Sequence, residues 1–460
     1  MKELTINEII IATGAQMIAT GDMAAALERT VSHVTQDSRE VGANSLFVPL
    51  KGTVRDGHTF IPQCFEKGAV CFSEKVLAPQ NGGILLLVPD ARQALLDLAK
   101  YYRNLFPIPF VGITGSVGKT TTKDMIASVL SQKYDTLWTL GNYNNDIGVP
   151  LTLFRLEEHH QAAVIEMGMN HFGEIALLSG IVRPDMGVIS NVGVAHIENL
   201  GSREGILRAK CELFSGMQKD GVAILNGDND MLQTMAGKLS QRTVWFGLEG
   251  KRDFYADEIE QMGLEKTACV IHTPKGSISV EIPVPGRHMV LNALSAAAVG
   301  QEMGLSLEEI KAGIEGFQPT KNRMNVMCGG NGITILNDVY NANPVSMKAS
   351  LDILANAEGR KVAILGFMGE LGEFAQAFHQ EVGAYAAEKG VDLLFCIGGH
   401  NEAMAEGAKK GGLEQVYCFE GQEALWETGL PLLQRGDTVL VKASRSVGLE
   451  KTVEKIQGVN

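Results

Sequence analysis

The sequence predicts an α/β protein of three domains, in which two larger domains with mostly parallel sheets follow a small mixed α/β domain. The chain has 460 residues, whereas a single domain typically has ~150. Short apolar runs alternate with amphipathic segments from residue 89 onward, which is the pattern of parallel strands joined by helices. The alternation begins again after the segment GFQPTKNRM at 316–324. We therefore expect domains at 1–88, 89–319 and 320–460.

Individual elements follow from the same patterns. The first domain mixes short strands and turns and ends in the apolar run ILLLV at 84–88. The second domain is predicted to alternate helices at 91–105 and 120–130 with strands at 110–114, 162–167, 186–192 and 222–228. The segment 267–282 breaks this rhythm and indicates a β-hairpin that turns at 274–276. In the third domain, strands are predicted at 333–338, 361–366, 391–397 and 437–443, with helices between them.

The composition is that of a folded protein with a negative charge. Lys and Arg total 40 and Asp and Glu total 53, which gives a net charge of −13. Nucleic acids and anionic membranes are bound by unpaired cationic surfaces, so this balance excludes coating of either one. The apolar fraction of 45% excludes a disordered chain.

Cysteine usage and the absence of long apolar runs predict the compartment. The seven cysteines are widely spaced and form no C-x-x-C pair, which argues against a disulfide scaffold or a structural zinc site. The first residues, MKELTINEIIIATGAQ, lack the apolar core of a signal peptide, and no apolar run reaches about 18 residues. We expect a cytoplasmic monomer with reduced thiols, without membrane insertion and without a nucleic-acid partner.

The segment FVGITGSVGKTTTKDMI at 110–126 predicts a phosphate-binding loop between a strand and a helix of a doubly wound, P-loop-type sheet. Glycines let the backbone curl so that successive N–H groups and the helix N-terminus face a phosphate. Lys119 would reach the outer phosphates, and the Thr120 hydroxyl would bind Mg²⁺. The strict motif requires glycine where the chain has Ile113, so this is a shortened G-x-x-G-K-T form. A glycine-rich turn that only caps a helix is the alternative.

Three further side chains are candidates for chemistry. Glu166 ends the apolar run AAVIE, a position suited to a magnesium-binding carboxylate, although a lone carboxylate there can also be structural. His196 follows another strand, where a structural hydrogen-bonding role is the alternative. Lys210 lies four residues after Ile206 and three before Leu213, at helical spacing on an apolar face. A buried ammonium needs a charged partner or altered chemistry; the alternative is a stem that extends to solvent.

Together the motifs resemble those of the Mur ligases, in the same order and along nearly the whole chain. The matching segments are TGSVGKTT, GNYNNDIGVP (141–150), EMGMNHFGEI (166–175), NVGVAHIENLGS (191–202), PGRHMVLNALSAAA (285–298), NRM (322–324) and DVYNANP (338–344). Members of this family are ATP-dependent, amide-forming enzymes of peptidoglycan precursor synthesis. The resemblance implies one domain each for the UDP-muramoyl substrate, for ATP and for the incoming substrate, the last of them Rossmann-like.

Within the family, three segments favour the branch that joins D-Ala-D-Ala to a UDP-N-acetylmuramoyl-tripeptide through an acyl phosphate. They are DSREVGANSLFVPLKGTVRDGHTF (37–60), DVYNANPVSM (338–347) and GFMGELGE (366–373). Two departures are visible. The family usually has Asp where this chain has Phe367, which puts one polar contact with the acceptor in doubt, and Leu where this chain has Phe378.

The resemblance also implies roles for single residues. ATP would be bound by Gly115, Ser116, Val117, Gly118, Lys119, Thr120, Thr121, Asn292 at the adenine, Arg323 and Asp338. Two Mg²⁺ ions would be held, one by Thr120 and Glu166 and one by His196 with Lys210, if that lysine is carbamylated as in related ligases. The catalytic residues would be Lys119, His196, Lys210 and Arg323. The substrates would be bound by Asp37, Ser38 and Arg39 at the uridine end, Asn144 and Asn145 near the muramoyl-peptide, and Asn341, Asn343, Lys442, Ser444 and Arg445 at the peptide ends.

Three other functions remain as alternatives. The ligase that adds the third peptide residue would carry a D-N-P-R motif, which this sequence lacks. Folylpolyglutamate synthase would carry an Asp-Gly-Ala-His-Asn run where this chain has DVYNANP. A nucleotide-switch protein that binds partners would need a base-recognition sequence such as N-K-x-D, which is also absent, and would leave the two further domains unexplained.

Overall fold

In a computed structural model that describes residues 1–52 and 55–458, the chain folds around three main β-sheets. Their strands lie within 16–87, 110–282 and 325–442. Thr53 and Val54, which belong to the segment 37–60 singled out in the sequence, lie outside the described residues. So do Val459 and Asn460, the last two residues of the predicted third domain.

The first sheet has five strands in the order β2-β7-β6-β5-β4, antiparallel between β2 and β7 and parallel elsewhere, and β1 pairs with β3 separately. Its strands are β1 Leu4–Thr5, β2 Gln16–Ala19, β3 Thr30–Val31, β4 His33–Thr35, β5 Ser45–Phe47, β6 Val70–Ser73 and β7 Ile84–Leu87. Its helices are α1 Ile6–Thr13, α2 Met23–Glu28, α3 Ile61–Glu66 and a 3₁₀ turn at Gly57–Phe60. The next helix, α4 (Ala91–Asn104), packs on α1 and also on helices of the central sheet.

The central sheet has nine strands in the order β16-β15-β14-β13-β12-β11-β8-β10-β9. They are β8 Phe110–Thr114, β9 Thr136–Trp138, β10 Ala162–Glu166, β11 Met186–Ile189, β12 Val222–Asn226, β13 Arg242–Gly247, β14 Phe254–Met262, β15 Lys266–Thr273 and β16 Gly276–Ile282. The helices are α5 Lys119–Leu130, α6 Gly148–Leu153, α7 Glu174–Val182, α8 Ile197–Leu200, α9 Arg203–Cys211, a 3₁₀ turn at Glu212–Gly216, α10 Asp230–Gln233, α11 Arg287–Glu302 and α12 Leu307–Glu315. Only the pairs β14–β15 and β15–β16 are antiparallel in this sheet as described.

The third sheet has six strands in the order β17-β18-β22-β19-β20-β21, parallel except for β17. They are β17 Asn325–Cys328, β18 Thr334–Asn337, β19 Lys361–Gly366, β20 Leu393–Ile397, β21 Val416–Phe419 and β22 Thr438–Lys442. The helices are α13 Pro344–Ala355, α14 Ala375–Glu388, α15 Asn401–Lys410, α16 Gln422–Ala424 and α17 Glu450–Gln457. Shorter turns lie at Gly330–Gly332, Gly372–Phe374, Leu425–Gly429, Leu430–Leu432 and Arg445–Val447.

The α/β class with mostly parallel sheets is confirmed, and so is the hairpin within 267–282. The strand predicted at 110–114 has those bounds, whereas the one predicted at 186–192 ends at Ile189. The difference has a local cause: Ser190 and Asn191 leave the sheet and hydrogen-bond to the loop that follows β8. Apolarity alone cannot show where such a strand ends.

The parallel strands of the central sheet are buried on both faces. Val111 and Ile113 of β8 belong to a core with residues of α5 and α11, whereas Ile165 and Ile189 belong to a core with residues of α7. Covering both faces holds the carboxyl ends of β8, β10 and β11 side by side, where loops can build a site. Among the described residues, no helix is long and apolar enough to cross a membrane.

The position of helix α9 depends on a close backbone contact at its start. Ser202 caps the helix by accepting a hydrogen bond from the Gly205 N–H at 3.1 Å. A Cβ atom at Gly205 would lie 2.1 Å from the carbonyl oxygen of Leu200, so only glycine allows α8 and α9 to approach this closely. This contact fixes the direction in which α9 presents Lys210.

We predict that Gly205→Ala lowers the free energy of unfolding by about 1–3 kcal/mol, because the added methyl group overpacks a rigid backbone contact. The matched control is Gly180→Ala in α7, where nothing lies within 4 Å of the added carbon. That change should leave stability unchanged or raise it by up to about 1 kcal/mol, because alanine is the better helix former. Urea unfolding measures both variants, and equal loss of stability in the two would contradict the steric argument.

Candidate active site

A cleft of about 710 Å³ lies between the central and third sheets, at the carboxyl ends of β8 and β10. Both sides contribute side chains that the sequence singled out. Those that line the cleft are Ser116, Val117, Gly118, Lys119, Thr120, Thr121, Asn144, Asn145, Glu166, His196, Asn292, Arg323, Asp338, Asn341, Asn343 and Lys442. The fold thus brings most of the predicted site residues together.

The phosphate loop adopts a backbone conformation that its glycines make possible. Gly118 has φ of +79°, which an L side chain rarely adopts, and it directly precedes α5. A Cβ atom at Gly115 would lie 2.0 Å from Oγ of Ser190, so glycine permits this close approach. Helix α5 begins at Lys119 without a side-chain cap. Its first N–H groups therefore face the cleft as donors for an anion.

Asn191 braces this loop, a role that the sequence did not reveal. Its side-chain oxygen accepts hydrogen bonds from the N–H groups of Ser116 at 3.0 Å and Val117 at 2.9 Å. Gly193 donates in turn to the Ser116 hydroxyl at 2.9 Å. The loop conformation is therefore held by protein contacts before a phosphate binds, and the amides left for the phosphate are those at the start of α5.

Cationic groups converge on the loop from both sides of the cleft. Nζ of Lys119 donates to the carbonyl oxygen of Gly115 at 2.9 Å, and burial lowers its pKa. From the third-domain side, Arg323 donates to the Thr120 hydroxyl at 2.9 Å, and its guanidinium lies 3.9 Å from the centre of the Tyr340 ring. The Tyr340 ring holds the guanidinium in place by stacking.

Glu166 offers a free carboxylate oxygen. Its side chain is 1% exposed at the end of β10, and Oε1 accepts a hydrogen bond from Asn144 at 2.7 Å. Oε2 is buried and has no hydrogen-bond partner in the described parts of the chain. A buried, unpaired carboxylate oxygen is costly unless a cation binds it.

Lys210 is buried, and the alternative of a stem that extends to solvent is wrong. The side chain is 1% exposed, and no carboxylate of residues 1–52 or 55–458 lies within ion-pair distance of its amine. Burial lowers the pKa of Lys210 well below its ordinary value, and the charge of Lys119 lowers it further. Both effects disfavour the charged ammonium at this position.

His196 meets the third domain at a strained contact. Its Nδ1 lies 2.6 Å from Oε2 of Glu370, but the two groups are not aligned as a hydrogen bond. Both residues have φ of +63°, a conformation that costs free energy outside glycine. The histidine lowers the pKa of the Glu370 carboxyl. Close packing of Gly372 on Glu198 joins the same two domains beside this contact.

Asn292 and Asp338 are held by neighbouring side chains on opposite walls of the cleft. Oδ1 of Asn292 accepts a hydrogen bond from Thr122 at 3.0 Å, which places the amide directly behind Gly118. Oδ2 of Asp338 accepts from Lys442 at 2.5 Å and from Ser350 at 2.7 Å. Lys442 is 2% exposed, so in this arrangement its charge serves Asp338.

The remaining candidates for binding the peptide ends differ in whether they line the cleft. Asn343 caps α13 by accepting from Ser346 N–H at 2.9 Å, and Asn341 accepts from the next backbone N–H. Ser444 is buried and accepts from Gly369 N–H at 2.8 Å, whereas Arg445 is exposed above Tyr340. Neither Ser444 nor Arg445 lines the cleft as described.

The three first-domain candidates lie away from this cleft. Asp37, Ser38 and Arg39 follow β4 on the first sheet. Nε of Arg39 donates to both Asp37 oxygens, at 2.9 and 3.0 Å, and this hydrogen bonding lowers the pKa of Asp37 to about 2. The arginine charge is thus neutralised by its neighbour.

The donor set at Thr120 and Glu166 fits a hard divalent cation of the Mg²⁺ class. Mg²⁺ is commonly bound by one or two protein oxygens, with phosphates and waters completing the octahedron. A hydroxyl and an unpaired carboxylate oxygen facing a phosphate loop meet that requirement. The cluster of three metal-ligating side chains found among the described residues, Asp135, His159 and His160, does not line the cleft.

Several cleft residues were not identified from the sequence, among them Arg92, Asp146 and His288. Arg92 of α4 pairs with Asp146 at 2.6 Å, and His288 is partly buried beside the Asp338–Lys442 pair, where desolvation lowers its pKa. His288 lies in the segment 285–298, which the sequence analysis singled out, but the pattern does not show which polar residue of that segment faces the cleft. Arg92 carries no motif at all.

Phe367, the residue that stands where the family usually has Asp, lies in a separate crevice of the third domain. Its ring stacks on His379 with centroids 5.6 Å apart and lines a cavity of about 450 Å³. Met368 N–H donates to Nε2 of His379 at 2.9 Å, so His379, which follows Phe378 in α14, holds this loop from behind.

Known proteins match the whole chain. Three family models match consecutive segments: the Mur ligase family catalytic domain at 30–103, the Mur ligase middle domain at 113–300 and the Mur ligase glutamate ligase domain at 322–445. The chain is similar to UDP-N-acetylmuramoyl-tripeptide–D-alanyl-D-alanine ligase of Bacillus subtilis (strain 168). The two are 39% identical over 93% of this chain and 94% of that protein.

Solved structures agree with the sequence matches. A crystal structure of MurF from Acinetobacter baumannii superposes with a TM-score of 0.91 at 33% identity, covering 100% of this chain and 99% of that one. The MurF ligase of Thermotoga maritima, solved in complex with ADP, gives a TM-score of 0.83 at 27% identity over 93% and 97% of the two chains. The chain therefore belongs to the Mur ligase family.

Proposed function

We propose that the protein joins D-Ala-D-Ala to the C-terminal carboxylate of UDP-N-acetylmuramoyl-tripeptide, with hydrolysis of ATP to ADP and phosphate. The observation that carries this proposal is the meeting of the phosphate loop and Arg323 across one cleft. The named activity of relatives at 39% identity supports it. The product would be a peptidoglycan precursor, and we infer from this that the enzyme acts in the cytoplasm.

The reaction needs an activated carboxylate. An amine that attacked the free carboxylate would have to expel hydroxide or oxide, which is a poor leaving group at neutral pH. Transfer of the γ-phosphoryl group from ATP to the tripeptide carboxylate gives an acyl phosphate. The amine of D-Ala-D-Ala then attacks the carbonyl, phosphate leaves, and the amine loses a proton. Holding the reactants in line lowers such a barrier by roughly 7–11 kcal/mol.

Two anions must approach each other in the first step, so their charges need compensation. Lys119 and Arg323 supply positive charge from opposite sides of the phosphate loop, and the start of α5 supplies N–H donors. Mg²⁺ held by Thr120 and Glu166 would neutralise phosphate charge when bound. Asn144 fixes the other oxygen of Glu166 and so orients the carboxylate.

Lys210 is suited to carbamylation. An uncharged amine adds to CO₂, the C–N bond forms and one proton leaves, which converts the side chain into an anion. That anion, with His196, would form the second magnesium site. The buried lysine has no carboxylate partner in the described structure and a pKa well below its ordinary value, and both properties favour this reaction.

Each predicted domain receives one substrate in this proposal. Residues 1–88 would hold the uridine end, with Asp37, Ser38 and Arg39; 89–319 would hold ATP; and 320–460 would hold the dipeptide. We propose that the protein acts as a monomer. The third residue of the tripeptide, lysine or meso-diaminopimelate, is decided by comparing the two substrates in a ligation assay.

We predict that phosphate release from ATP requires both UDP-N-acetylmuramoyl-tripeptide and D-Ala-D-Ala. Omitting either substrate should lower the rate to background, because the acyl phosphate forms only on the tripeptide and is discharged only by the dipeptide amine. A phosphate-release assay with single omissions measures this. Steady hydrolysis without either substrate would instead indicate a nucleotide-switch protein, and acceptance of glutamate in place of the dipeptide would indicate a folylpolyglutamate synthase-like enzyme.

We predict that Lys119→Ala lowers kcat of ligation by about 10²–10³-fold, as expected for the loss of one preorganised charge-stabilising donor. Urea unfolding should be unchanged, because Lys119 makes one hydrogen bond to its own loop. The matched control is Lys100→Ala, which removes an exposed charge from α4 and should retain full activity. Near wild-type phosphate release by Lys119→Ala would refute the assignment.

We predict that Lys210→Ala lowers activity by about 10²-fold or more and that added short carboxylates partly restore it. The carboxylate would occupy the space of the missing carbamate and return a negative ligand to the site. Arg208→Ala on the exposed face of the same helix is the control and should stay active. Full activity of Lys210→Ala would show a structural role, and loss without rescue would argue against carbamylation.

A further inference from the structure

Two cysteines of the third domain face each other on neighbouring strands. Cys396 of β20 and Cys418 of β21 are direct partners in the parallel register. Neighbouring strands lie about 4.8 Å apart, and disulfides join Cα atoms that are about 4.4–6.8 Å apart. Partners in register point to the same side of a sheet, and here both contact α15: Cys396 packs in its core, and Sγ of Cys418 lies 3.7 Å from the carbonyl oxygen of Asn401.

The two thiols differ in access to solvent. Cys396 is fully buried on an inner strand, whereas Cys418 is exposed on β21, which forms the edge of the sheet. A dissolved oxidant can therefore reach only one sulfur of the pair. We propose that Cys396 and Cys418 are a peroxide-sensitive pair that closes to an intramolecular disulfide, with Cys418 as the attacking and Cys396 as the resolving sulfur.

The electrostatic surroundings agree with this division of roles. Interaction with the Cys396 thiol lowers the pKa of Cys418 to about 7, and Lys409 acts in the same direction. Partial burial of Cys418 and the charges of Glu402 and Glu420 oppose the shift but are outweighed. Burial and the same interaction raise the pKa of Cys396. Since the thiolate is the nucleophile, Cys418 reacts first at neutral pH.

The chemistry balances with hydrogen peroxide as the oxidant. The Cys418 thiolate attacks one peroxide oxygen, the O–O bond breaks, hydroxide leaves, and the sulfur becomes a sulfenic acid. The Cys396 thiol then attacks that sulfur, loses its proton, and displaces the hydroxyl group as water. In total, two thiols and one peroxide give one disulfide and two waters. A thiol reductant reverses the step by exchange.

Other cysteines of the chain provide internal comparisons. Cys64 and Cys71 also interact with each other, but both are buried, so peroxide has no entry to that pair. Cys328 is exposed on β17 in the same domain. Cys328 is accessible to peroxide but has no cysteine partner in register, whereas the Cys396–Cys418 pair has both solvent access at one sulfur and a cysteine partner.

The disulfide would join two strands whose carboxyl ends form the wall of the third-domain crevice. Ile397 and Gly398 follow Cys396 directly, and Glu420 follows β21; all three line the cavity of about 450 Å³ that also contains Phe367. Oxidation would thus fix the edge strand against its neighbour next to this crevice and leave the phosphate loop untouched.

The experiment treats the full-length, fully reduced protein with hydrogen peroxide, blocks the remaining thiols and digests it with trypsin without reduction. The two cysteines fall on separate tryptic peptides, 390–409 and 411–435, each with one cysteine. We expect mass spectrometry to find these peptides cross-linked, a loss of two of the seven free thiols, and full recovery with dithiothreitol.

Three variants separate the proposal from random oxidation. Cys418→Ser, at an exposed position, should abolish the cross-link, whereas the control Cys328→Ser should leave it unchanged. Cys396→Ala should let dimedone trap a sulfenic acid at Cys418 that the unsubstituted protein does not accumulate. Oxidation of Cys418 to a sulfinic acid while Cys396 stays reduced, or a cross-link between two chains instead of within one, would overturn the proposal. So would unreacted thiols at both positions.

Discussion

The structure depends on a backbone loop that is held ready for an anion before the anion arrives. Asn191 ties down two amides of the phosphate loop, and Ser190 fits against Gly115 so closely that a methyl group there would collide with it. These contacts come from the two residues that directly follow β11, so the conformation of the loop depends on the neighbouring strand of the parallel sheet. The first amides of α5 remain as donors. The net charge of the whole chain is −13, whereas cationic side chains on helices and loops of the fold line the cleft.

The third domain contacts the phosphate loop and its surroundings from across the cleft. Arg323 reaches Thr120 across the cleft, and Tyr340 stacks on its guanidinium. On the other side of the loop, Glu370 meets His196 with both backbones in a strained conformation. Strain of this kind persists only where surrounding contacts impose it. The contacts that Arg323 and Glu370 make with the central domain are polar, so charged substrates can compete for them.

Much of the fold was predictable because parallel strands buried on both faces appear as short apolar runs. The strand at 110–114 and the helix after it follow directly from β-branched residues, glycines and a lysine in sequence. The inward position of Lys210 follows from helical spacing, but its burial could not be decided until the packing of α9 was known. Asn191, Arg92 and His288 could not be identified, since each acts through a partner far away in the chain. Apolar periodicity locates helices and strands, but it does not show which loop residue forms the hydrogen bonds that hold another loop.

Two buried groups, one in the cleft and one near Lys119, are left unsatisfied by the protein alone. Oε2 of Glu166 has no partner among the described residues, and Lys210 has no carboxylate beside it. Each such group lowers the stability of the folded state unless a ligand or a chemical change compensates it. A cation on Glu166 and a negative charge on Lys210 would compensate both, and each would also increase the favourable charge seen by the other. If the site binds these species as proposed, we expect loading to raise the stability of the folded protein, because a species that binds only the folded state stabilises it.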